Sequence, residues 1–231
     1  MNHNTPMQPS APLLRLLLPL ALGAAAYSTG HLALKVAVPA TCALALLASR
    51  DLRRSADTWF VVAAFGFSTI GDAFLSTRAG RESFYVGGIV GFFIAHAWYL
   101  AFALRNGRVH GPVLVGLLAG YLAWFAWRLA PAIGSPVLAT AALCYLVISC
   151  VTLAAALGLR LPVGPKAAYV AGIALIVFSD TLIARGDFLG KRSLNFLILP
   201  TYYLAQIAVA AALLLGRASP PRGREERPGK G

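Results

Sequence analysis

Charged residues, and acidic ones above all, are scarce in this chain. Asp, Glu, Lys and Arg together make up 12% of its 231 residues, and only eight residues are acidic. A soluble domain carries roughly 25% charged residues. The hydrophobic fraction of 58% and the mean hydropathy of +0.72 are likewise higher than is usual for a soluble domain. The composition therefore excludes an ordinary soluble domain and predicts a polytopic membrane protein.

Metal ligands and nucleotide-binding motifs are also missing. The three cysteines fall inside predicted helices, so neither a disulfide framework nor a thiolate metal cluster is indicated. A catalytic zinc needs about three protein ligands, and His96 is the single histidine well inside a predicted span. We therefore expect no metal site. The sequence has no P-loop, dinucleotide fingerprint or Gly-x-Ser-x-Gly turn.

Long apolar runs predict an all-α bundle of about eight transmembrane helices, because a spanning helix needs about 20 largely apolar residues. The predicted spans cover residues 13–27, 31–48, 58–75, 84–104, 113–129, 136–157, 166–184 and 194–215. The first span also resembles a signal peptide at GAAAYS, but no Lys or Arg precedes it, which favours a retained helix. Residues 1–216 thus form the membrane domain, and a basic, Pro/Gly-rich tail, 217–231, is predicted to be disordered.

The net charge of +12 lies in the connections between the spans rather than in one basic patch. With eight spans, most Lys and Arg residues fall on the side that holds both chain ends. The positive-inside rule therefore predicts cytoplasmic termini. Compact loops favour a bacterial inner membrane. Contact with membrane lipid is expected, whereas nucleic acid is not indicated as a partner; the oligomeric state stays open.

Two aspartates fall inside predicted spans in similar settings, Asp72 in FSTIGDAFL and Asp180 in FSDTLIA. A carboxylate near the middle of a spanning helix costs about 2.5–3.5 kcal/mol even on the insertion-based scale, so such residues mark functional sites. Each lies equally far from the start of its span, and the two spans run in the same direction. The helical rise places both about 21 Å from the cytoplasmic end. We therefore expect the two carboxyl groups to face one pocket.

Other polar side chains are predicted to line the same pocket and contact the substrate. Lys35 enters from the second span at the depth of the aspartates, Ser68 shares a helix face with Asp72, and Ser179 precedes Asp180. The remaining candidates follow helical spacing in the fourth and eighth spans: His96, Tyr99, Tyr202, Tyr203 and Gln206. His96 and Gln206 lie deeper and are expected to form the floor. Tyr202, Tyr203 and Gln206 fit a structural interpretation as interhelical hydrogen-bonding groups equally well, and for His96 this interpretation is the stronger one.

Four segments resemble the YhhN/TMEM86 family in order and spacing: FSTIGDAFL, GGIVGFFIAHAWYLAF, FSDTLIA and PTYYLAQ. Characterised animal members are lysoplasmalogenases, which hydrolyse the vinyl ether bond of lysoplasmalogens to a fatty aldehyde and a glycerophospho-base. The resemblance implies a membrane-embedded hydrolase with a lysophospholipid substrate and no cofactor. The family usually follows its second-span lysine with proline, whereas Val36 follows Lys35 here.

Vinyl ether hydrolysis suits a pair of carboxyl groups. One delivers a proton to the alkene carbon, and the other steadies the oxocarbenium ion and activates water, as in glycosidases. Two neighbouring carboxyl groups are expected to share one proton, so Asp72 and Asp180 are the predicted catalytic pair, with their individual roles open. We expect the phosphate of the lysophospholipid to be held by Lys35, or by Arg78 and Arg81 in the loop that follows the span of Asp72.

Two other functions fit the same residues. A proton-coupled transporter or lipid carrier would use the aspartates as protonation sites. A scaffold would use them in an Asp–Lys pair.

Overall fold

The computed structural model describes residues 13–218, and this part of the chain is all-α. Its only β-type pairing is an isolated bridge between Gly107 and Leu159. The predicted fold class, a polytopic helical bundle, is confirmed. Of the predicted disordered tail, residues 219–231 lie outside the described residues.

The helices follow one another with short connections. They are α1 (Leu17–Thr29), α2 (Leu32–Leu47), α3 (Arg50–Arg53), α4 (Ala56–Ser76), α5 (Glu82–Arg105), α6 (Gly111–Trp124), α7 (Pro136–Leu157), α8 (Val163–Leu189) and α9 (Ile198–Ala218). Short 3-10 turns precede α1 (Leu13–Leu16) and α9 (Asn195–Leu197). A π-helical turn, Phe125–Leu129, continues α6.

Six helical stretches of the described chain are long and apolar enough to cross a membrane: Ala56–Ser76, Glu82–Arg105, Gly111–Ala132, Pro136–Leu157, Val163–Leu189 and Asn195–Gly216. The two N-terminal stretches, Leu13–Thr29 and Leu32–Leu47, are apolar but shorter. Each of the eight predicted spans therefore corresponds to a helical stretch in the expected order, and six of these reach spanning length.

Helix α8 extends beyond its predicted end at residue 184. It continues through Arg185 and Asp187 to Leu189 and ends at Gly190, whose φ of +67° closes the helix in the left-handed conformation. These charged residues resemble a loop in the sequence. In the structure Asp187 pairs with Arg78 of the α4–α5 connection, and this partner compensates its charge.

Glycines allow the aspartate-bearing helices to pack closely on their neighbours. A Cβ atom on Gly91 of α5 would lie 2.9 Å from the backbone nitrogen of Gly71 on α4. A Cβ atom on Gly172 of α8 would lie 2.9 Å from the carbonyl oxygen of Ala205 on α9. Small residues that bring helix backbones together are typical of packing within membranes. They fix α4 against α5 and α8 against α9. In contrast, α6 buries no residue between Gly111 and Trp124 and lies at the periphery.

Candidate functional site

Both intramembrane aspartates line one cavity of about 500 Å³ at one end of the bundle. Asp72 lies in the last turns of α4, and Asp180 lies in the C-terminal half of α8. Lys35 near the start of α2 and Tyr202 near the start of α9 complete the walls. We call this space the polar cavity. The structure thus brings to one place two carboxyl groups that the sequence places only at one depth.

A tyrosine from a different helix holds each aspartate. The Tyr202 hydroxyl donates to Asp72 Oδ2 over 3.0 Å, and the Tyr145 hydroxyl of α7 donates to Asp180 Oδ2 over 2.5 Å. Among the described residues, neither carboxyl group has another hydrogen-bond partner. One oxygen of each is therefore fixed by the protein, and the other is left to meet a ligand or water.

A narrower apolar slot of about 100 Å³ lies beside the polar cavity, between α5, α6, α7 and α8. Aromatic and aliphatic side chains dominate its wall, among them Trp124 and Phe125 at the start of the π-helical turn. The slot and the polar cavity share four wall residues: Leu75, Phe92, Asp180 and Ile183. Asp180 therefore stands at the boundary between an apolar space and a polar one.

Arg78 and Asp187 form an ion pair at the polar cavity. Arg78 Nη1 and Nη2 donate to Asp187 Oδ2 and Oδ1 over 2.8 and 3.2 Å, and the Tyr85 hydroxyl also donates to Asp187 Oδ2. Partial burial disfavours the charge on Arg78, but Asp187 outweighs this effect and raises the pKa of the guanidinium group, which stays cationic.

Lys35 is half-buried on the wall of the polar cavity. No nitrogen–oxygen distance within 4.0 Å joins it to a carboxylate of the described chain. The scaffold interpretation needs an Asp–Lys pair, and Lys35 interacts electrostatically with Asp72 without forming a direct ion pair.

The serines among the predicted site residues differ in position. Ser179 lines the polar cavity and donates to the Ile198 carbonyl oxygen over 3.0 Å. Ser68 is buried beside the hydroxyl groups of Tyr99 and Tyr202. Ser68 thus supports the tyrosine that holds Asp72 and does not line either space.

Four of the predicted site residues line neither the polar cavity nor the apolar slot: His96, Tyr99, Tyr203 and Gln206. Tyr99 donates to Gln206 Oε1 over 2.9 Å, and Tyr169 donates to the Tyr99 carbonyl oxygen over 2.7 Å. Both ring nitrogens of His96 lack a hydrogen-bond partner among the described residues. The expectation that His96 and Gln206 form the floor stays a prediction, since both side chains are buried and line neither space. Counting along a helix gives depth, but it does not give the direction in which a side chain points.

Sequence reasoning missed two residues of the site, Tyr145 and Asp187. Asp187 follows Asp180 by two helical turns and shares its face, a signal hidden by the predicted end of the span at residue 184. Tyr145 stands out only as a hydroxyl-bearing residue in a very apolar span. Its hydrogen bond to Asp180 forms only when α7 packs on α8, so the sequence alone does not indicate it.

Within residues 13–218, no group of three or more His, Cys, Asp or Glu side chains is placed to hold a metal ion.

Comparison with known proteins gives one family match. Residues 30–213 match the family model described as the YhhN family, and this range contains both aspartates and their tyrosine partners. No curated protein and no solved structure matches the chain significantly.

Proposed function

The chain belongs to the YhhN family, and from this premise we propose that it is a membrane-embedded hydrolase that cleaves the vinyl ether bond of lysoplasmalogens. The products are a fatty aldehyde and a glycerophospho-base, from lysoplasmenyl-ethanolamine or lysoplasmenyl-choline. The observation that carries the proposal is that Asp72 and Asp180 face one cavity, with Asp180 also at the edge of an apolar slot.

The two adjoining spaces match the two halves of such a lipid. The part of its hydrocarbon chain next to the vinyl ether suits the aromatic and aliphatic wall of the apolar slot. Its polar head suits the cavity that contains Lys35 and Arg78. The vinyl ether joins these halves and would lie at the boundary, beside Asp180. We therefore assign Asp180 as the proton donor to the alkene and Asp72 as the base.

The catalytic cycle that follows from this assignment needs no cofactor. Protonated Asp180 transfers its proton to the alkene carbon remote from the ether oxygen, and an oxocarbenium ion forms. Ionised Asp72 stabilises this cation and takes a proton from the water that attacks it, which gives a hemiacetal. As the hemiacetal breaks down, its hydroxyl proton passes to Asp180 and Asp72 protonates the departing glycerol oxygen. The aldehyde leaves with both carboxyl groups in their starting states.

Purified full-length protein in detergent micelles provides the test. We expect aldehyde release from lysoplasmenyl-ethanolamine, measured by mass spectrometry, and none from the saturated alkyl ether of equal length, because that ether has no alkene to protonate. Folded protein that releases no aldehyde would contradict the proposal. Lipid flux across sealed liposomes without product would instead support the carrier, which uses the same carboxyl groups for protonation.

A further inference from the structure

The α4–α5 connection places Arg78 over the polar cavity in a fixed conformation. Ala79 and Gly80 both have positive φ values, +44° and +78°, and the Arg81 amide donates to the Arg78 carbonyl oxygen over 2.7 Å. Arg78, Ala79 and Gly80 all contribute to the cavity wall. A non-glycine residue in the left-handed conformation is unfavourable and persists where the surrounding structure enforces it. The turn thus presents Arg78 to the cavity.

The guanidinium group of Arg78 is oriented but not saturated. Asp187 accepts two of its five N–H donors, and the ring of Tyr85 lies 4.8 Å beneath its central carbon. Tyr85 also hydrogen-bonds the guanidinium group, and the Arg78 side chain is 34% exposed and lines the polar cavity. An arginine fixed in this way loses little conformational entropy when it binds an anion.

Lys35 adds a second positive charge to the same cavity. Asp187 balances the charge of Arg78, whereas Lys35 has no ion-pair partner in the described part of the chain. The polar cavity therefore offers one preoriented guanidinium group and one ammonium group that interacts electrostatically with Asp72 but forms no ion pair within 4.0 Å. This combination suits an anion with several acceptor oxygens.

We propose that Arg78 and Lys35 bind the phosphate of a lysophospholipid head group in the polar cavity, and that Asp187 and Tyr85 position Arg78 for this contact. The proposal rests on the proposed function, because it names the part of the same site that holds the head group. A bound phosphate would anchor the lipid so that the atoms next to the glycerol reach Asp180. The protein should consequently select lipids that carry a phosphate over alkylglycerols of equal chain length.

Binding of two uncleavable lipids tests this selection in full-length protein in micelles. The probes are 1-O-hexadecyl-glycerophosphocholine and 1-O-hexadecylglycerol, which differ in the phosphocholine group, and the readout is the ratio of their Kd values by native mass spectrometry. We expect the phosphate-bearing lipid to bind at least about tenfold more tightly. Arg78→Gln and Lys35→Gln should each remove most of this preference and leave alkylglycerol binding unchanged.

Arg81→Gln is the matched control. Arg81 carries the same charge in the same connection, but its guanidinium group stacks on Phe84 at 3.6 Å and does not line the polar cavity. We expect this variant to keep the wild-type preference. A loss as large as that in Arg78→Gln would mean general attraction by surface charge and would overturn the proposal.

Asp187→Asn tests the positioning role. This change keeps the size of the side chain but weakens its hold on Arg78, so phosphate preference should fall while alkylglycerol binding persists. If both lipids lose affinity equally, Asp187 has only a structural role and the positioning claim is wrong.

A water-soluble competitor separates a lipid site from a site for a free phosphodiester. We expect glycerophosphocholine to displace the lipid only at a large excess, because it lacks the chain that fills the apolar slot. Displacement at equal concentration would overturn the assignment to a lipid.

The binding assay also separates this inference from the proposed hydrolysis. Phosphate-selective binding without aldehyde release would contradict the proposed hydrolysis but support the head-group site. Aldehyde release without phosphate selection would contradict the head-group site but support the proposed hydrolysis.

Discussion

Tyr202 on α9 donates a hydrogen bond of 3.0 Å to Asp72 on α4, across 130 positions of sequence. A helix remote in the chain thus fixes the direction of a carboxyl group inside the bundle. Tyr145 does the same for Asp180 from α7. A buried carboxyl group needs such partners, because an unsatisfied polar group in an apolar setting costs several kcal/mol (about 2–7). The pairing presents both groups to the cavity in defined orientations.

Replacing either aspartate with asparagine should stop the reaction and spare the fold. In Asp72→Asn and Asp180→Asn the side-chain oxygen still accepts the tyrosine hydrogen bond, but the proton donor or base is lost. We expect aldehyde release to fall at least about 100-fold, measured by mass spectrometry, with an unchanged elution profile on size-exclusion chromatography. Wild-type activity in either variant would eliminate the two-carboxylate mechanism.

Removing the tyrosine hydroxyl groups should weaken catalysis without abolishing it. Tyr145→Phe and Tyr202→Phe each delete one hydrogen bond to a catalytic carboxyl group. The loss is about 0.5–1.5 kcal/mol for the protonated Asp180 and about 1.5–3 kcal/mol for the ionised Asp72. We expect kcat to fall roughly 2- to 10-fold in Tyr145→Phe and roughly 10- to 100-fold in Tyr202→Phe, with little change in KM.

Tyr121→Phe is the control for the tyrosine variants. Its hydroxyl group lies 3.1 Å from the Thr181 hydroxyl group and forms no hydrogen bond with either aspartate, although its side chain lines the apolar slot. Equal losses in all three variants would show that the hydroxyl groups act through general packing.

Filling the apolar slot should change the preferred chain length. Ala142 of α7 lines the slot, and Ala142→Leu would occupy part of a space of about 100 Å³. We expect kcat/KM for a long alkenyl chain to fall about tenfold relative to a short one, measured with lysoplasmalogens of two chain lengths. Cys144→Leu changes an exposed position of the same helix and should leave this ratio unaltered. An unchanged ratio in Ala142→Leu would place the hydrocarbon chain elsewhere.

The close contact between α4 and α5 should not tolerate a methyl group. In Gly91→Ala the new Cβ atom would meet the Gly71 backbone at 2.9 Å, so the helices must move apart at a cost of about 1–3 kcal/mol. We expect a lower Tm in detergent and reduced aldehyde release, because α4 carries Asp72. Gly66→Ala on α4 meets no atom within 4 Å and should keep or raise the Tm, since alanine favours helix. Equal Tm values for the two variants would refute the tight contact.

The sequence by itself determined the helices, their order and the depth of the two aspartates. Apolar runs encode helices because the backbone of a spanning segment must satisfy its own hydrogen bonds in lipid. Depth follows from the fixed rise of a helix, which is why Asp72, Asp180 and Lys35 could be expected at one level.

Only the tertiary structure decided which side chains meet at that level. The direction of a side chain around the helix axis depends on how the helices pack, and here glycines such as Gly71 and Gly91 set that packing. Tyr145 and Asp187 therefore belong to the site, whereas His96 and Gln206 line neither the polar cavity nor the apolar slot. The contact between Arg78 and Asp187 spans 109 positions. No local pattern encodes such a pair, because it exists only once α8 has extended past residue 184 and reached the α4–α5 connection.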